Sequence, residues 1–180
     1  MTDSPLEAAK AAFSAAEAGD WQTLLNLLDP DAIEDFKQRQ RRWLAMAEAV
    51  ELLRKQMQQV FAVNTLGEFD AVPAALILRR WLVVSRARVR EARRPEYRRQ
   101  MLGEVHEGME FAHIVFRESL PADDEKTDRV RVISARRTAR GWRVSLGGGL
   151  VTDEGGNVGL GYDPGAADPM QGESDFISSM

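Results

Sequence analysis

The sequence predicts an α+β protein in which N-terminal helices pack on a curved antiparallel sheet, followed by a flexible acidic tail. Two observations predict this class. Capped segments with helical periodicity occupy the first half, and apolar–polar alternating segments separated by short turns occupy the second. With 180 residues, 44% of them hydrophobic, the chain has enough apolar material for one core. We therefore assign residues 1–151 to a single domain and residues 152–180 to a disordered tail rich in glycine and aspartate.

Capping residues mark the first three helices. The run Ser4–Glu7 is a capping box with proline at the first helical position. Gly19 ends that helix, Asp20 caps the next, and Asp29 followed by Pro30 repeats the start signal.

A longer apolar pattern follows the third start signal. It has heptad spacing and includes Phe36, Trp43, Val50 and Met57. One alternative is a coiled-coil dimer helix, but the pattern covers only about three heptads, which favours one long helix packed across its own domain. Gly67 breaks the pattern, and residues 70–73 indicate another helix start. The apolar run at residues 81–84 fits a strand as well as a helix, and we assign it to that helix.

The second half is predicted to be two antiparallel strand pairs. Residues 98–106 and 109–120 are joined by a turn at Glu107 and Gly108, and residues 129–137 pair with 141–146. With a two-residue turn, one sheet face carries Leu102, Glu104, Phe111, His113, Val115 and Arg117. Both faces of the sheet are half apolar, so each should be shielded from water by other elements or by another subunit. We expect a second subunit to cover the outer face, which predicts a homodimer.

Three segments resemble the nuclear transport factor 2-like superfamily, whose cone-shaped fold is shared with polyketide cyclase-like and ketosteroid isomerase-like proteins. They are Ala11 to Ala32 (AAFSAAEAGDWQTLLNLLDPDA), Leu102 to Arg117 (LGEVHEGMEFAHIVFR) and Val130 to Leu146 (VRVISARRTARGWRVSL). The resemblance implies a pocket between the sheet and the helices. It does not imply one activity, because this fold hosts enzymes, ligand carriers and association modules.

Residue content excludes several kinds of site. The chain has no cysteine and two histidines, His106 and His113, which excludes thiolate and histidine-rich metal sites. It has no phosphate-binding loop, GxSxG or HExxH motif. We therefore expect no metal and no cofactor. No apolar run is long enough to span a membrane, and the lack of cysteine suits a cytoplasmic location.

The pocket that the resemblance implies allows two alternative functions, binding and catalysis. Its predicted ligand-binding residues are Leu102, Phe111, His113, Val115 and Arg117. The favoured function is a non-catalytic binding domain for a small apolar ligand or a protein partner. The alternative is a cofactor-independent isomerase, cyclase or hydrolase in which Glu104 and His113 move protons as diagonal neighbours. His113 is otherwise a partly buried strand histidine bonded to its neighbours, and we favour this structural role.

An arginine-rich stretch suggests a third function, the binding of polyanions through Arg86 to Arg99. Residues 79–99 hold nine arginines and two acids, whereas residues 152–180 hold six acids and no lysine or arginine. The candidate anion-binding residues are Arg93, Arg94, Arg98 and Arg99. Only Tyr97 offers an aromatic ring near the end of this stretch, and the net charge is −4, so a nucleic-acid partner is disfavoured. The favoured interpretation is a solvated helix end and loop.

Overall fold

The computed structural model describes residues 3–47, 51–91, 98–119 and 129–146. These residues form helices followed by strands, which confirms the α+β class. The helices are α1 (Pro5–Ala18), α2 (Trp21–Leu27), α3 (Pro30–Ala47), α4 (Glu51–Phe61), α5 (Leu66–Ala71) and α6 (Ala74–Glu91). The strands are β1 (Arg98–Glu107), β2 (Phe111–Ser119), β3 (Arg129–Thr138) and β4 (Gly141–Val144). The tail predicted for residues 152–180 lies outside the described residues.

The predicted helix caps are confirmed. Ser4 Oγ accepts a hydrogen bond from the backbone N–H of Glu7 at 3.1 Å, and Asp20 Oδ1 accepts one from Thr23 at 3.1 Å. Gly19 has a φ of 74°, the left-handed conformation that ends α1. These starts and stops depend on neighbouring residues only, which is why the local sequence predicts them.

Helix α5 lies where the sequence analysis placed a break at Gly67. Its cap is Thr65, whose Oγ1 accepts a hydrogen bond from the backbone N–H of Glu68 at 3.1 Å. Thr65 and Glu68 have the spacing of a capping box, so the signal for this helix was present in the sequence.

The heptad pattern is divided between α3 and α4, with residues 48–50 outside the described part of the chain. Phe36 and Met57 are both buried in the core of their own chain. The Phe36 ring packs edge-on against Trp81 of α6, with the ring centres 5.4 Å apart. This packing supports the interpretation that the pattern serves its own domain.

The junction of α3 with α5 is held by buried and exposed charges. Lys37 is nearly buried and donates hydrogen bonds to the carbonyl oxygens of Asp70 at 2.8 Å and Val72 at 2.7 Å. Arg41 donates two hydrogen bonds to the Asp70 carboxylate, of 2.7 and 3.0 Å. The hydrogen bond from Arg41 lowers the pKa of Asp70 below its ordinary value.

Because the pKa of Asp70 is lower in the folded chain, the charged carboxylate stabilises the fold above the ordinary pKa of 3.8, and this contribution is lost as the pH falls further. We expect Asp70→Asn to lower the free energy of unfolding at neutral pH and to have little effect at about pH 2. Urea unfolding measured across this pH range checks the difference, with Arg41→Met as the control that removes the partner. An equal loss at both pH values would contradict the prediction.

The four strands form one antiparallel sheet in the order β1-β2-β3-β4. Helix α1 lies across one face, which we call the inner face, and contacts every strand. Ala112, Ile114 and Phe116 of β2 point to this face and are fully buried. The Phe13 ring of α1 meets the Phe116 ring edge-on at 5.0 Å. The opposite surface is called the outer face.

The predicted register of the first strand pair is wrong. Glu107 pairs with Phe111, so the turn contains three residues, 108–110, and Gly108 has a φ of 67°. His113 therefore lies opposite Val105, and Glu104 lies opposite Ile114. The register differs from the predicted one by three residues. An odd shift moves a strand's side chains to the other face, and Glu104 lies on the inner face as a result.

Among the described helices, none has both the length and the apolar character needed to cross a membrane.

Candidate functional site

The outer face of the sheet is an exposed apolar surface. In register order it carries Val105 on β1, Phe111, His113 and Val115 on β2, and Val130, Val132 and Ser134 on β3. The exposed fractions are 60% for Val105, 42% for Phe111, 64% for Val130 and 48% for Val132. The regular alternation of β2 and β3 concentrates these side chains on one surface, since their neighbours Ile114 and Ile133 are buried on the inner face.

His113 lies in the middle of the outer face. Its Nδ1 is 3.0 Å from Ser134 Oγ on β3, and its Nε2 is 3.1 Å from Glu107 Oε2 on β1. Both ring nitrogens are therefore bonded to side chains of neighbouring strands. His113 is therefore a strand histidine bonded to its neighbours, as the favoured structural interpretation expected. Its acidic partner is Glu107 and not Glu104.

Glu104 has a structural role at the start of α1. Its Oε2 accepts a hydrogen bond from the backbone N–H of Leu6 at 3.1 Å, which satisfies one of the unpaired donors of the first helical turn. Its Oε1 is 3.0 Å from His106 Nε2. The structure does not bring Glu104 and His113 together, because they lie on opposite faces. The Glu104–His106 pair was accessible from the sequence, since alternate residues of a strand share a face.

The predicted ligand-binding residues do not line a pocket between the sheet and the helices. Phe111, His113, Val115 and Arg117 lie on the outer face, and Leu102 lies at a β-bulge between Met101 and Gly103. The inner face is filled by α1. A cleft of about 330 Å³ lies elsewhere and is lined by none of the five; its residues are Ala18, Gly19, Trp21, Val83, Arg86 and Ala87.

Of the four predicted anion-binding arginines, Arg93 and Arg94 lie outside the described residues. Arg98 is exposed at the end of β1, opposite Ser119. Arg99 is directed inward, with its Nε 2.8 Å from Oε1 of the fully buried Glu118 and its Nη1 3.1 Å from Glu17. Its guanidinium also lies over the Phe13 ring, 4.8 Å from the ring centre. Arg99 is thus engaged within the fold and does not present an anion site.

Two further arginines of the same stretch cap helices. Arg86 donates to the carbonyl oxygens of Ala16 at 2.8 Å and Glu17 at 2.5 Å, at the C-terminal end of α1. Arg80 donates to the carbonyl oxygen of Phe61 at the end of α4. Cations at helix C-termini satisfy carbonyls that have no partner within the helix. No local sequence pattern indicates this role, because it depends on which helix ends the fold places beside α6.

Within the described part of the chain, no three histidine, aspartate or glutamate residues are placed together so that they could hold a metal ion.

Comparison of the chain with protein-family models, with curated proteins and with solved structures gives no match.

Proposed function

We propose that this chain is a non-catalytic binding domain of the cone-shaped nuclear transport factor 2-like type, which holds a protein partner on the outer face of its sheet. One observation carries the proposal: Val105, Phe111, Val130 and Val132 are 42–64% exposed on one regular surface. Contiguous exposed apolar patches on soluble proteins mark interaction sites. The absence of cysteine agrees with the cytoplasm as the place where this binding occurs.

Binding is favoured over catalysis by the placement of the titratable groups. The His113 ring is bonded on both sides to its own sheet, and Glu104 holds the first turn of α1 on the other face. A proton-transfer pair needs both groups within hydrogen-bond reach of one substrate. The isomerase, cyclase or hydrolase alternative has no such pair in Glu104 and His113.

A protein partner is favoured over a small ligand by the form of the surface. Small molecules bind in concave sites that bury most of their area. The outer face is the open side of a four-stranded sheet, and its apolar side chains extend over three strands. Such a surface matches another exposed apolar protein surface.

Polyanion binding has less support. Arg80, Arg86 and Arg99 are each engaged with carbonyl or carboxylate oxygens of the chain itself. All three guanidinium groups are anchored within the fold, and that of Arg99 is also neutralised by carboxylates, so they are poorly placed to hold a phosphate backbone.

We expect Val130→Thr combined with Val132→Thr to weaken binding of a fluorescent hydrophobic dye to dilute protein. Each substitution exchanges a methyl group for a hydroxyl, which costs about 0.8 kcal/mol, or roughly fourfold in affinity, for each methyl that contacts the dye. Thermal unfolding of the dilute protein should change little, because both side chains are about half exposed or more. Dye titration and a melting curve measure the two effects.

Val83→Thr is the matched control, because Val83 is 49% exposed, close to the 48% of Val132, but lies on α6. It also lines the cleft beside Arg86. If dye binding depends on Val83 and not on Val130 and Val132, the cleft is the binding surface and the proposal fails.

A further inference from the structure

We infer that the outer face takes an acidic segment with apolar side chains, and that this chain carries such a segment itself in residues 152–180, with Phe176 and Ile177 as the apolar anchors. The inference rests on the proposed function, which makes the outer face a binding surface, and adds to it the chemistry of the occupant. An external partner then has to displace the chain's own tail from this face.

The outer face is basic around its apolar centre. At the outward positions of the four described strands there is one acid, Glu107, and there are four arginines, namely Arg98, Arg117, Arg136 and Arg143. Arg136 is neutralised by Asp29 and Asp31, each 2.6 Å from its Nη2, but the other three arginines still outweigh Glu107. This face therefore has the opposite sign to the whole chain, whose formal net charge is −4.

Arg98 belongs to this face because of an irregularity in β1. Arg98 lies opposite Ser119, and Glu107 lies opposite Phe111, so both ends of β1 face outward. The two residues are an odd number of positions apart, which in a regular strand would place them on opposite faces. The bulge at Leu102 adds one residue and brings both onto the outer face.

Basic and apolar side chains are neighbours at one end of the outer face, which we call the basic end. Arg117 lies opposite Gln100 on β1 and Val130 on β3, and Arg98 is its diagonal neighbour on β1. Arg98, Arg117 and Val130 are all exposed. A carboxylate that meets these arginines therefore places the residues next to it over exposed valine side chains.

Strand β4 points the chain toward the basic end. Its first residue, Gly141, pairs with Thr138, and its last residue, Val144, pairs with Ala135, so β4 advances toward the start of β3. The start of β3 is the part that lies opposite Arg117. The chain therefore passes along the edge of the outer face, in the direction of the basic end, before the tail begins.

The tail has the composition that this surface requires. Residues 152–180 hold six acids and no lysine or arginine. Near their end, Glu173 and Asp175 come just before the apolar pair Phe176 and Ile177. This order of acids and apolar side chains matches a surface on which arginines lie next to valines.

The connection is long enough for this contact. Residues 147–172 separate Leu146 from Glu173, and a chain of this length can span about 80 Å when extended. Strands β4 and β1 are three strand spacings apart, roughly 14 Å. The segment can therefore reach every strand of the outer face. Tethering also raises its effective concentration, so ion pairs that are weak singly are sufficient to keep it there.

Disulfide formation in the full chain tests this placement, because the protein has no cysteine of its own. Ser178→Cys puts one thiol beside Phe176 and Ile177. Val132→Cys puts the second thiol on the outer face, and Val83→Cys puts it on α6 as the matched control, since these valines are 48% and 49% exposed. In dilute protein we expect the 132–178 disulfide to form roughly tenfold faster than the 83–178 disulfide. Mass spectrometry identifies each bond, and a non-reducing gel separates bonds within one chain from bonds between two chains.

Neutral tail variants test the cause of this preference. The first variant removes three acids of the tail, with the substitutions Asp168→Asn, Glu173→Gln and Asp175→Asn, and should slow the 132–178 disulfide to the rate of the 83–178 disulfide. The matched control removes three acids between β2 and β3, with the substitutions Asp123→Asn, Asp124→Asn and Glu125→Gln, and should not slow it. Equal slowing by the two variants would mean that net charge and not pairing sets the rate, and would overturn the inference.

Arginine variants test the surface that meets the tail. Arg98→Gln combined with Arg117→Gln should slow the 132–178 disulfide as the neutral tail does. Arg137→Gln combined with Arg140→Gln is the matched control, because these arginines are also exposed but lie off the outer face. Arg137 lies opposite the buried Trp142, and Arg140 lies in the turn between β3 and β4. Melting curves establish that each arginine variant is folded.

The two proposals fail in different ways. If the 132–178 and 83–178 disulfides form at the same rate, the tail is not the occupant, while the dye result on Val130 and Val132 still decides whether the outer face binds a partner. If the 132–178 disulfide forms mainly between two chains, the tail binds a second copy, and its placement on its own sheet is overturned.

Discussion

Replacing Glu118 by Gln is expected to lower the free energy of unfolding by about 3–5 kcal/mol. The Glu118 side chain is fully buried. Its Oε1 is 2.8 Å from Arg99 Nε, and its Oε2 is 2.6 Å from Arg131 Nε. Both arginine side chains are only 17% exposed, so the substitution leaves two largely buried positive charges without their common counter-charge.

Urea unfolding measures this loss, and Glu17→Gln is the matched control. Glu17 contacts the same Arg99 at 3.1 Å, but its side chain is 59% exposed. Exposed ion pairs contribute about 0–1 kcal/mol, so the control should cost little. Equal losses in the two variants would contradict a special role for the buried carboxylate.

A second variant tests the cause of the loss. Arg99→Met, Glu118→Leu and Arg131→Met together remove the buried carboxylate and its two largely buried partners and fill similar volumes, while the exposed Glu17 keeps its charge. Apolar replacement of a whole buried ion cluster is often neutral or stabilising. The triple variant should therefore be more stable than Glu118→Gln alone. If it is less stable, the loss comes from packing and not from uncompensated charge.

Replacing Gly19 by Ala is expected to lower the free energy of unfolding by about 2–4 kcal/mol. The φ of Gly19 is 74°, which strains any residue that has a Cβ. The added Cβ would also lie 2.5 Å from Arg86 Nη1, an impossible separation. Arg86 must then move away from the carbonyl oxygens of Ala16 and Glu17, and the end of α1 loses these two hydrogen bonds.

Two controls separate the strain from the collision. Gly108 also has a positive φ, of 67°, but beyond its own chain neighbours no described atom lies within 4 Å of its Cβ position. Gly108→Ala should therefore lower the free energy of unfolding by about 1–2 kcal/mol, which is the cost of the left-handed backbone conformation alone. In the Arg86→Ala background, Gly19→Ala should cost the same amount as Gly108→Ala. If its cost is unchanged in that background, Arg86 is not the group that the new Cβ displaces.

The sequence determined the features that depend on residues close together in the chain. The caps at Ser4 and Asp20, the left-handed stop at Gly19 and the approximate bounds of the four strands were all predictable in this way. In each case the deciding interaction joins a side chain to backbone groups a few residues away, or follows from local alternation. Helix α5 belongs to the same group, because its capping box, Thr65 to Glu68, is also a local signal.

Only the tertiary structure decided the sheet register, the faces and the partners of the charged side chains. The three-residue turn after Glu107 moved Glu104 to the inner face, where α1 needs a hydrogen-bond acceptor. The bulge at Leu102 then brought Arg98 and Glu107 onto one surface. Arg86 and Arg99 look alike in the sequence as members of a basic stretch, yet one caps α1 and the other neutralises a buried carboxylate. These outcomes depend on atoms that are distant in the chain and become neighbours only when α1, α6 and the sheet pack together, so no local pattern specifies them.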